Sequence, residues 1–92
     1  MAGVAIERTG LPRIFFDTND GSEERGYELK FAHSLTDIAA IGSPLCDGML
    51  VVIYMPNELE YVARLKYDGE FGYWLGIPVE GTLRYLDGTP DC

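Results

Sequence analysis

The sequence predicts an α+β domain dominated by strands: a strongly twisted antiparallel sheet of roughly five to seven strands, either open or closed into a small barrel, with one short helix near residues 35–41. Three observations lead there. Apolar and polar residues alternate with period two in several short runs, the mark of half-buried strands. Asp-Gly pairs stand at Asp20-Gly21, Asp47-Gly48, Asp68-Gly69 and Asp87-Gly88, beside those runs, and this dipeptide favours tight turns. One stretch alone changes to helical spacing.

Taken in order, Val4 to Glu7 is a weak edge strand and Arg13 to Asp17 the first firm one. The segment Asp17 to Gly26 holds four acids and no large apolar side chain, so it is expected to be a solvated, mobile and structurally dispensable hairpin loop. Tyr27, Leu29 and Phe31 then alternate with Glu28 and Lys30. Ser34 as N-cap with Asp37 three residues later starts the helix, Leu35, Ile38 and Ile41 supply its apolar stripe, and Gly42-Ser43-Pro44 ends it. A helix this short is not stable alone, so its stripe must pack on the sheet.

Met49 to Met55 is continuously apolar, as a central strand covered on both faces requires. Pro56-Asn57-Glu58 turns the chain into a strand whose Tyr61, Ala63, Leu65 and Tyr67 face the core, with Val62, Arg64 and Lys66 on the other side. Tyr67-Asp68-Gly69-Glu70 is the strongest hairpin signal, followed by strands at Glu70 to Leu75 and Thr82 to Leu86. The order is two strands, a helix and a four-strand meander. The expected core is Ile14, Phe16, Leu29, Phe31, Ile38, Ile41, Leu50, Val52, Tyr61, Leu65, Phe71, Tyr73, Leu83 and Tyr85, and residues 1–92 form one domain with frayed ends at 1–3 and 88–92.

Seven Lys and Arg against fifteen Asp and Glu give 7 − 15 = −8. That balance argues against direct binding to nucleic acids or anionic membranes. No apolar run approaches the ~18 residues of a membrane span, and no basic segment precedes an apolar one at the start, so a cytoplasmic location is expected. There the two cysteines stay reduced, Cys46 packed and Cys92 free at the terminus.

The motifs that suggest chemistry have plainer readings. With Asp17 as the first position of a calcium loop, Gly21 falls where a ligand belongs and Ser22 where the glycine belongs, so no metal is expected. His33, Ser34, Asp37 and Cys46 are the residue types of a nucleophilic site without its supporting context, and no catalytic residue or cofactor is assigned. Trp74 stands between Gly72 and Gly76; if Phe71, Tyr73 and Leu75 point inward, it points outward as a binding anchor, and otherwise it covers a second layer.

The function these residues favour is a small, non-catalytic protein-interaction module that forms a homodimer, because six Tyr and one Trp exceed what so small a core satisfies. Trp74, Tyr54, Tyr67, Asp17, Asp20, Glu23 and Glu24 are the candidate contacts. The alternative is an acidic inhibitor or immunity-type decoy that occupies the basic nucleic-acid site of a partner protein. A small-ligand-binding or enzymatic domain is the second alternative.

Overall fold

The apolar run after Met49 forms a strand enclosed at its centre, with Val51, Val52 and Ile53 all at 0% exposure. The computed structural model describes residue 8 and residues 10–86. Its elements are β1 (Arg13–Phe15), β2 (Gly21–Ser22), β3 (Gly26–Glu28), α1 (Ala32–Ile41), β4 (Leu50–Met55), β5 (Leu59–Asp68), β6 (Tyr73–Pro78) and β7 (Arg84–Tyr85). The strand expected at Val4 to Glu7 and the ends at 1–3 and 88–92 lie outside the described residues. No described helix is long and apolar enough to cross a membrane.

The sheet runs β1-β4-β5-β6-β3-β2, with β7 added to β5. It is mixed instead of antiparallel, because β1 lies parallel to β4. Alternation within a strand records which face is buried and says nothing about the direction of its partner. Nor is the barrel closed, since β1 and β2 remain edges. The sheet nevertheless wraps its inner face, for Phe16, just past β1, meets Tyr27 of β3 at a ring distance of 4.8 Å although β4, β5 and β6 lie between those strands.

Side chains at paired positions share a face. Ile14, Ile53, Tyr61, Ala63, Leu65, Trp74, Gly76 and Tyr27 therefore line the inner face, while Arg13, Val52, Tyr54, Glu60, Val62, Arg64, Lys66 and Leu75 line the outer one. The inner face holds the core of Ile14, Phe16, Tyr27, Leu29, Val51, Ile53, Tyr61, Ala63 and Leu65, with Ile38 and Ile41 of α1 packed against it. Gly76 belongs here for want of space: a Cβ on it would stand 3.0 Å from Ile53 Cγ2.

Several core expectations fail, each where a strand ends. Phe71, Leu83 and Tyr85 are exposed at 63, 38 and 74%: Phe71 sits in a turn, and the final strand shrinks to two residues. The helix begins at Ala32, with Phe31 at its N-cap and no side-chain cap. Ser34 is buried and donates to the Phe15 carbonyl at 2.6 Å, while the Phe15 amide donates to Asp37 at 3.0 Å. Two helix side chains thus satisfy the free edge of β1 as a neighbouring strand would. Gly42, in the left-handed region at φ 78°, stops the helix as predicted.

After β6 the chain leaves β5 for a short detour and returns as β7. Across that gap the Thr82 hydroxyl accepts from the Val62 amide at 3.1 Å and donates to the Val79 carbonyl at 2.6 Å. The detour keeps both partners of β5 in place and so fixes Arg84 opposite Glu60.

Candidate interaction surfaces

The turn between β5 and β6 presents the first surface. Asp68 Oδ1 accepts from the amides of Glu70 and Phe71, at 2.9 and 3.2 Å, and Gly72 takes φ 82°. The loop therefore spans Gly69 to Gly72 and is wider than an Asp-Gly pair alone. Asp47 Oδ1 accepts from the Tyr67 amide at 2.7 Å, holding the strand just before that turn. The result is two aromatic pairs on one hairpin, Tyr67 against Trp74 at 5.1 Å and Phe71 stacked on Tyr73 at 5.8 Å. Trp74 is half-buried and packs against the inner core, whereas Tyr67 and Phe71 are exposed. The inward set of the sequence reading is thereby corrected: Trp74 shares the core side, and Tyr73 and Leu75 the outer side, because they pair with Tyr67, Asp68 and Lys66.

The outer face carries the second surface. Glu60 on β5 is 1% exposed, and three guanidiniums converge on its carboxylate: Arg8 at 2.8 Å, Arg13 at 3.0 Å and Arg84 at 2.9 Å. Arg8 also donates to the Thr82 carbonyl. Burial opposes ionisation of Glu60, but the hydrogen bond and charge of Arg13, with Arg84 and Arg8, outweigh it and hold the carboxyl below its usual range. A buried carboxylate is tolerated only when paired and hydrogen-bonded in this way.

Beside this cluster, Arg13 lies 4.8 Å over the Tyr54 ring, a cation–π contact that stiffens both side chains. The Tyr54 hydroxyl donates to Asp37 at 2.7 Å, and burial first, then that carboxylate, pushes its pKa up to about 12. His33 stacks on Phe15 at 4.7 Å and stands 3.9 Å from Asp37. The nucleophile types do not assemble. Ser34 is committed to the Phe15 carbonyl, and Cys46 is exposed instead of packed. Among the described residues no group of three His, Cys, Asp or Glu side chains is placed to hold a metal ion.

The acidic residues predicted as contacts divide. Asp17 caps its own loop by accepting from the Asn19 amide at 2.9 Å, and the backbone carbonyl of Asp20 accepts from the Glu28 amide. Glu23 accepts from the Tyr61 hydroxyl at 2.6 Å, and burial with this contact raises the Tyr61 pKa. Glu23, Glu24 and Glu80 line one groove of about 420 Å³ with Tyr61 and Leu83. The loop is therefore tied to the core through Tyr61 and contains β2, neither of which the sequence reading foresaw. A count of its own apolar residues misses contacts supplied by the rest of the chain.

The structure brings together Trp74 and Tyr67, and separately Glu23 and Glu24, and leaves Tyr54 with the arginines. Sequence reasoning missed Phe71 as a surface residue and the whole group of Arg8, Arg13, Glu60 and Arg84. One signal was legible: Glu60 shares parity with Val62, Arg64 and Lys66 on its strand, so it stands among cations. Its burial was not legible.

Comparison with protein-family models, with curated proteins and with solved structures gives no match.

Proposed function

We propose that this chain is a small, non-catalytic protein-interaction module that pairs with a second copy of itself through the β5–β6 hairpin. The observation that carries the reading is the exposure, on one hairpin, of Tyr67 against the half-buried Trp74 and of Phe71 against Tyr73, at 45 and 63%. Exposed aromatics backed by a packed aromatic are the composition of interface centres. The sheet edges support the same choice, because α1 satisfies the outer edge of β1 and β2 is only two residues long, leaving little backbone for edge-to-edge pairing. Light scattering coupled to size exclusion is the test. The native protein is expected to elute as a dimer that dissociates on dilution, and Phe71→Ala as a folded monomer. A native monomer at every accessible concentration removes the reading.

One observation favours a second reading, the acidic decoy. Glu23, Glu24 and Glu80 share a groove, while Arg13, Arg64, Lys66 and Arg84 stand on the outer face of the sheet. A decoy needs acids gathered on one surface, and capture of a basic nucleic-acid-binding protein that weakens steeply with salt would distinguish it from the aromatic interface.

A further inference from the structure

Among the described residues, the cluster around Glu60 holds three guanidiniums to one carboxylate. Arg8, Arg13, Arg84 and Glu60 sum to 3 − 1 = +2, in a chain whose total is −8. The guanidiniums do not share this duty equally. Arg8 is 21% exposed and turned inward on Glu60 and the Thr82 carbonyl, whereas Arg13 and Arg84 are 47 and 58% exposed. Each of these two meets Glu60 through a single nitrogen, and among the described residues neither makes a further hydrogen bond. A guanidinium has five N–H donors in a rigid fork, so most of theirs face solvent.

We propose that Arg13 and Arg84, exposed on opposite oxygens of Glu60, together bind a phosphoryl group. The charge deficit selects the ligand: a phosphate monoester carries about −1.5 to −2 at neutral pH and neutralises the cluster, while a single carboxylate leaves it cationic. The site is also built in advance. Both forks are anchored on opposite oxygens of one buried carboxylate, Arg13 is braced by the Tyr54 ring, and Arg84 is fixed by the pairing of β7 with β5. Preorganised, charge-assisted donors of this kind are what bidentate oxyanion recognition uses. Asp37 does not fill the role, since it forms no ion pair with Arg13 and its Oδ2 receives the Phe15 amide and the Tyr54 hydroxyl. Charge elsewhere limits the ligand's size. The rest of the chain totals −8 − 2 = −10, which repels a long polyanion and leaves a compact phosphoryl group as the anion the site accepts.

Isothermal titration of the intact protein with inorganic phosphate, with O-phosphoserine and with acetate, at low and matched ionic strength, tests this. Phosphate is expected to bind saturably at one site, acetate about tenfold more weakly, and Arg13→Gln or Arg84→Gln to weaken phosphate by about tenfold each, the loss of one charge-assisted contact. Arg64→Gln, on the same face outside the cluster, leaves binding unchanged. Phosphoserine that binds as well as phosphate identifies a phosphorylated molecule as the source, and phosphoserine that does not identifies the free ion. If the Gln variants melt early, the side-chain N–H resonances of Arg13 and Arg84 in the native protein give the same answer. The proposal is overturned by an unsaturable titration, by Gln variants that bind like the native protein, or by phosphate shifts spread equally over Arg25 and Arg64.

Discussion

The two faces of one sheet are held by different physics, and β5 shows it residue by residue. Its odd positions Tyr61, Ala63 and Leu65 enter an apolar core at 6, 0 and 1% exposure, and its even position Glu60 enters an ionic cluster at 1%. Equal burial hides unequal rules. On the inner face any large apolar side chain of the right shape contributes, and loss scales with the cavity left behind. On the outer face the burial of Glu60 is stable only while its arginines are present, so the same strand tolerates errors on one side that it rejects on the other.

The comparison breaks most visibly at Phe16. It is fully buried and its ring meets Tyr27 and Tyr61, so Phe16→Ala is expected to cost about 4 kcal/mol in denaturant unfolding at any pH where the protein folds. Glu60→Gln tests the other face and is expected to cost about 3 kcal/mol at neutral pH, since three guanidiniums lose the anion on which they converge. Its effect depends on pH. The Glu60 pKa is depressed below 4.5 in the folded protein, so its contribution is complete above the unfolded-state value and is lost as pH falls through the folded one. Melting temperatures followed from pH 7 into the acid range should therefore converge for native and Glu60→Gln protein, and parallel curves would show that the cluster carries no linkage.

Smaller changes sharpen the contrast. Thr82→Val keeps the shape but removes the acceptor of the Val62 amide, and about 2 kcal/mol is expected for a buried donor left unpaired. Hydrogen exchange at Val62 should accelerate with it. Tyr54→Phe removes one hydrogen bond to Asp37 and should cost about 1 kcal/mol at neutral pH. Because the Tyr54 pKa is raised to about 12 from 10.0, its stabilisation is complete below pH 10 and disappears as pH rises through 12. Ultraviolet titration of the variant should lack one late-ionising phenol, and an unchanged late phase would assign that phase elsewhere.

What the sequence determined by itself was the local grammar. The continuous apolar run at Val51 to Ile53, the alternation at Tyr61 to Leu65, the turn at Pro56 to Glu58 and the stop at Gly42 were all readable, because each rests on periodicity or on backbone preference within a few residues. The tertiary structure alone decided the rest. Whether β1 runs parallel or antiparallel to β4, whether Trp74 or Phe71 faces the core, and whether an acidic loop is anchored through Glu23 depend on which distant segment arrives as partner. Glu60 is the clearest case. In the sequence it is one acid among fifteen, and only the approach of residues 8, 13 and 84 from three other segments turns it into the buried centre of a positively charged site. Burial of a charge is settled by neighbours that are remote along the chain, and no local pattern encodes them.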